Sequence, residues 1–170
     1  MRSLELRMMS ETVGADAAFE LIQHFERYPE LVDEVRSVEV RDSGDGPVTS
    51  DWEVYFRNGP LRWTEIDYIQ LDQRRIVFEQ TDGDFHVFRG TWLVTPAPRG
   101  CRVTFEATFD FGIPSLAGVL DPIATKVLKE GIALVISRLL GDAVVLDDPV
   151  VRSAVAAKLS VAALDTALSA

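Results

Sequence analysis

The chain has 170 residues, enough for one domain with a full core. Hydrophobic residues make up 47% and charged residues 26%, the ordinary balance of a globular protein. Its 17 Lys+Arg stand against 27 Asp+Glu for a net charge of −10 with no basic run, which argues against nucleic acid and against an anionic membrane surface as partners.

Residues 1–10 hold no long apolar run, so neither a signal peptide nor a membrane span is expected, and a cytoplasmic location is the default. Leu4, Leu6 and Met8 alternate with Glu5, Arg7 and Met9, a strand pattern. Asp16 then precedes Ala17, Ala18, Phe19, Leu21, Ile22 and Phe25 at helical spacing. Pro29 opens a second short helix to about Asp33, because a first-turn N–H lacks a partner anyway. Val35 to Arg41 reads as a strand closed by the turn Asp42 to Pro47. Val48 to Arg57 follows, with Val48, Ser50, Trp52, Val54 and Phe56 on one face, then a turn at Asn58-Gly59-Pro60. Further strands run from Leu61 to Leu71, Arg75 to Gln80, Phe85 to Thr95 and Arg102 to Phe111. In the last of these Val103, Phe105, Ala107, Phe109 and Phe111 face one way and charged or hydroxyl residues the other. Asp121-Pro122 reads as the cap and first turn of a long helix, whose apolar face runs from Ile123 to Leu140 and stops at Gly141. Asp148-Pro149 starts a last helix, to about Leu168, with a modest stripe of Val151, Val155, Leu159, Ala162 and Ala163. Cys101 is the single cysteine, so no intrachain disulfide forms, and it reads as an idle buried thiol.

This order predicts an α+β fold: a curved antiparallel sheet of about seven strands around a long C-terminal helix, with two short helices after the first strand and an extra C-terminal helix. The long helix must bury its apolar face, and the concave side of the sheet is the available surface. A ligand cavity between them is the natural consequence. The expected organisation is a domain over 1–145 and a helical extension over 146–170.

Several motifs carry a resemblance. They are Phe25-Glu26-Arg27-Tyr28-Pro29-Glu30-Leu31-Val32 before the Val35 strand, Trp63, Gly90-Thr91-Trp92, and Thr104-Phe105-Glu106-Ala107-Thr108-Phe109-Asp110. Together with the element order they resemble the START-like helix-grip superfamily over about residues 3 to 141. Within it the chain is most similar to bacterial polyketide aromatase/cyclases and coenzyme Q-binding START-like proteins. The resemblance implies a cavity for a poly-β-ketone, which an acyl carrier protein would deliver, or for an isoprenoid-like lipid; the chain itself implies no cofactor, and its residues leave monomer and homodimer both open. It also implies that Tyr28 and Trp63 line the pocket. The aromatase/cyclases use a strand arginine to polarise a carbonyl; here its place holds Ile66 or Ile69, and a second pocket arginine becomes Glu79.

The stretch Arg62 to Ile69 holds the main chemical question. One register turns Trp63, Glu65 and Asp67 inward, where desolvation raises carboxyl pKa values toward general acid/base use. The other turns Arg62, Thr64, Ile66 and Tyr68 inward, with Tyr68 as the polar pocket group; the sequence leaves both open. Glu79 and Arg89 are further catalytic candidates, Arg89 as a fixed oxyanion partner, against the alternative of a cross-strand pair on the exposed face. His86 would serve as a base near its ordinary pKa, although a lone strand histidine is more often at the surface. Trp52, Phe88, Trp92, Phe105 and Phe109 complete the candidate lining, the competing reading being plain core. With two histidines far apart there is no metal-ligand cluster, and no nucleotide or serine-hydrolase motif is present.

Overall fold

The computed structural model describes residues 1–57 and 59–169. Its elements are β1 (Arg2–Ser10), α1 (Ala15–Ile22), α2 (Tyr28–Leu31), β2 (Val35–Arg41), β3 (Val48–Phe56), β4 (Gly59–Gln70), β5 (Arg75–Gly83), β6 (Val87–Pro96), β7 (Cys101–Asp110), α3 (Ala117–Leu140), β8 (Val144–Leu146) and α4 (Pro149–Ser169). Asn58, the first residue of one expected turn, lies outside the described residues, and Gly59 and Pro60 open β4.

The strands form one curved antiparallel sheet in the order β2-β3-β4-β5-β6-β7-β1-β8. Period-two patterning fixes which face is covered. In β7 every second residue from Cys101 to Phe109 is buried. Leu4, Leu6 and Met8 of β1 do the same beside it. The buried side is the concave one, and α3 lies in it, burying Ala124, Leu128, Ala133, Leu134, Val135, Ile136 and Leu140. This is the α+β helix-grip architecture that the pattern predicts. The count of strands is eight rather than about seven, because Val144–Leu146 adds a short strand to the free edge of β1.

The start of α3 corrects the sequence reading. The helix begins at Ala117, after a short turn over Pro114–Leu116, so Asp121 is a buried residue of the second turn and Pro122 lies inside the helix. Pro122 has no N–H to give to the carbonyl one turn earlier, a cost that the helix bears near its N-terminus. Its end is as expected: Gly141 has φ 85°, a conformation open to glycine, and its N–H donates to the Ser137 carbonyl. Asp142 then accepts from Ser10 Oγ and from the N–H groups of Glu11 and Thr12, which ties this end to the end of β1.

Asp148 caps α4 through the Val151 N–H and accepts from Lys129 Nζ of α3. Only Val151 and Val155 of α4 are fully buried. Among the described residues no helix is long and apolar enough to cross a membrane.

Candidate functional site

Trp63, Glu65 and Asp67 all point inward from β4, with 6%, 4% and 0% of their surface exposed. The register follows from area. A buried indole removes a large apolar surface from water, and Trp63 finds a parallel partner in Trp52 on β3, ring centroids 5.8 Å apart and planes 3° off parallel. Phe85 and Phe88 meet its other sides edge-on. The opposite register would bury Arg62 and leave this indole in water. Its would-be pocket residue Tyr68 is 46% exposed on the outer face, which corrects that candidate.

Burying two carboxyls costs free energy unless polar partners receive them. Trp63 Nε1 donates to Glu65 Oε2 at 2.8 Å. Ser50 stands directly opposite Glu65 in the β3–β4 ladder. Its hydroxyl accepts from Trp52 Nε1 at 2.8 Å, donates to Asp67 Oδ2 at 2.6 Å, and lies 3.5 Å from Glu65 Oε1. Ser50 has one proton to give, and Asp67 receives it. Glu65 Oε1 therefore approaches Ser50 best when Glu65 itself carries a proton. Asp67 Oδ1 has no hydrogen-bond partner among the described residues.

The electrostatics agree with this assignment. Burial first, and then the charge of Asp67, hold the Glu65 carboxyl well above the ordinary range. Burial pushes Asp67 up to about 6, while hydrogen bonds from Glu65 and Ser50 pull the other way. The two neighbouring carboxyls titrate as a pair, and near neutral pH the pair holds one proton, on the Glu65 side. Burial, with Glu65 and Asp67 nearby, also raises the Tyr28 phenol. That hydroxyl donates to the Ile22 carbonyl at 2.6 Å.

A cavity lies against this network. Its volume is about 70 Å³, space for only a few waters. Tyr28, Trp52, Trp63, Phe88, Trp92 and Phe105 line it, and Glu65 is its one carboxyl. The opposite wall is Val127, Leu128, Gly131, Ile132 and Val135 of α3, and Val35 and Val54 also line the cavity. No Lys, Arg or His is among the lining residues.

Other candidates fall elsewhere. Glu79 and Arg89 are exposed and stand opposite each other across β5 and β6 on the outer face, next to Tyr68. Strand parity puts them there, since Phe78 and Phe88 take the inward positions. His86 is exposed just before β6. Phe109 is fully buried among Phe85 and Phe111 and belongs to solid core rather than to the cavity wall. Asp67 sits behind Glu65 rather than at the cavity surface. Sequence reading missed Ser50 and Gly131. Ser50 had a legible signal, a small hydroxyl within an otherwise apolar strand face. Among the described residues no group of three or more His, Cys, Asp or Glu is placed to hold a metal ion.

Comparison with known proteins places this geometry in a family. A solved structure from Thermus thermophilus superposes with a TM-score of 0.71 at 24% identity, over 81% of this chain and 95% of that one. The Zhui aromatase/cyclase from Streptomyces sp. R1128 does so at 0.55 and 16% identity, over 81% and 87%. The ribosome association toxin RatA of Pseudomonas aeruginosa is 23% identical over 113 residues, 66% of this chain and 78% of that protein. Residues 13–134 match the family described as polyketide cyclase/dehydrase and lipid transport, and this chain, with its START-like helix-grip fold, belongs to that family.

Proposed function

We propose that the protein is a cofactor-independent cyclase or dehydratase acting on a hydrophobic polyketide. The observation that carries this reading is Glu65, a carboxyl that lines an aromatic cavity and shares a proton with a second buried carboxyl. When the shared proton sits on Asp67, the Glu65 carboxylate takes a hydrogen from the carbon between two carbonyls. When Glu65 is protonated, it delivers that proton to the leaving hydroxyl. The C–H and C–O bonds break, water departs, and the pair returns to its starting state. Trp63 Nε1 and Ser50 hold the carboxyl in place throughout. Holding the chain folded against the indoles supplies most of the rate, by orientation.

A carrier of a quinone or lipid is the second reading, and the wholly apolar α3 wall favours it. A ribosome-facing role is disfavoured by the net charge of −10, which opposes RNA.

Turnover of a reactive polyketide pool, with binding measured alongside, separates these. Glu65→Gln should keep binding and lose turnover by roughly 10²- to 10⁴-fold, while Glu79→Gln, on the outer face, leaves both unchanged. Binding without turnover by the wild type transfers the reading to the carrier. A Glu65→Gln variant with full turnover removes Glu65 from the chemistry.

A further inference from the structure

Gly131 is an unfavourable residue for the interior of a 24-residue helix. Crowding does not require it: a Cβ built there meets nothing within 4 Å. It sits instead where two spaces meet. Val127 and Gly131 line the inner cavity, and the same two residues line an outer cleft of about 530 Å³. On the opposite side Val35 and Val54 line the inner space, and their chain neighbours Glu34 and Tyr55 line the outer one. Ala154 and Ala157 of α4 roof the cleft with little bulk.

The inner cavity alone is smaller than a polyketide or a lipid chain needs, and the outer cleft supplies the missing length. Its chemistry differs. Lys126, Lys158 and Arg57 stand there with Glu34 and Glu130, so cations outnumber carboxylates in a chain that is acidic overall. Lys158 lies between Glu34 and Glu130, at 3.9 and 3.5 Å. Lys126 makes a looser 3.9 Å contact with Glu130 and is 52% exposed.

We propose that Gly131 is the portal of the cavity, and that the ligand is an elongated amphiphile. Its apolar end lies against the indoles and Glu65, and its anionic end stays in the α3–α4 cleft at Lys126 and Arg57. This deepens the cavity reading above and rests on it.

The test uses two fluorescent probes of equal ring size, anilinonaphthalene sulfonate, which is anionic, and phenylnaphthylamine, which is neutral. Gly131→Leu closes the portal and should weaken both probes by at least about tenfold, the effect of a modest steric clash. Gly131→Ala should raise the Tm by about 2–4 °C through helix propensity and slow probe association about threefold. Stabilisation together with slower probe association in one variant is a pairing that a merely structural glycine does not give. Lys126→Gln should weaken the anionic probe alone. Wild-type binding by Gly131→Leu overturns the portal. If that variant does not fold, an unchanged association rate in a stabilised Gly131→Ala protein does so. Equal loss of both probes in Lys126→Gln, or neutral and anionic probes bound equally by the wild type, overturns the anionic end. These readouts need no turnover, so the portal survives even if Glu65 proves not to be catalytic.

Discussion

Replacing Asp67 by asparagine tests the buried acid pair through stability. Asp67 rises from the ordinary 3.8 to about 6 in the folded chain. Between these pH values the folded state keeps a proton that the unfolded state has released. Stability therefore falls as pH rises; the contribution is complete below about 3.8 and gone above about 6. At about 1.36 kcal/mol per pH unit the whole effect is on the order of 3 kcal/mol. Glu65, raised further by the same burial, extends the decline to higher pH. Asp51, Asp142 and Asp148 are held below the ordinary range, so their stabilisation is lost only as pH drops beneath about 4, outside the window used. The amide of the Asp67→Asn variant remains neutral at every pH. Urea unfolding at pH 4.5, 6.0 and 7.5 should show the variant gaining about 2 kcal/mol on the wild type across the series, about 1 M in midpoint. A difference that stays constant with pH, or a wild type that gains on the variant, would refute the acid-pair assignment.

Two further outcomes follow from the same packing. Ser50→Ala removes the acceptor of Trp52 Nε1 and the donor to Asp67. It should cost about 1–3 kcal/mol in urea unfolding and move the Asp67 titration upward, because that hydrogen bond holds it down. Gly90→Ala would place a Cβ 2.1 Å from the Glu106 carbonyl oxygen and 2.8 Å from Phe78 Cζ. Backbone cannot yield there without breaking the Gly90–Ala107 pairing. A loss of about 3 kcal/mol or more, read as a Tm drop of about 6 °C or more, is expected.

Much of the fold was legible because period-two patterning and turn residues speak locally. The alternation from Val103 to Phe109 and the β2 range Val35–Arg41 came out as expected. The start of α3 did not, because Asp121-Pro122 carries the local signature of a helix cap while Pro114 begins the real approach seven residues earlier. The short β8 has no pattern of its own and exists only because β1 offers a free edge. At the site, Trp63 was legible as an inward residue, but β4 carries two plausible faces. What decided between them was the indole of Trp52 on the neighbouring strand, a tertiary contact. Glu79 and Arg89 looked chemical in sequence, and only strand parity through Phe78 and Phe88 sends them outward. Gly131 was legible only as a poor helix former, because its meaning lies in the space around it.

The chain has three tryptophans, and Trp52, Trp63 and Trp92 all line the cavity. The intrinsic ultraviolet emission of the protein is thus a report from one place. The packed Trp52–Trp63 pair should give near-ultraviolet circular dichroism that vanishes when β3 and β4 separate. Nothing aromatic occurs in α4, so its fraying would be silent in emission and visible only in far-ultraviolet ellipticity. Superimposed melting curves from the two signals would mark α4 as part of the cooperative unit, and an earlier ellipticity loss would mark the roof of the cleft as a separately melting element.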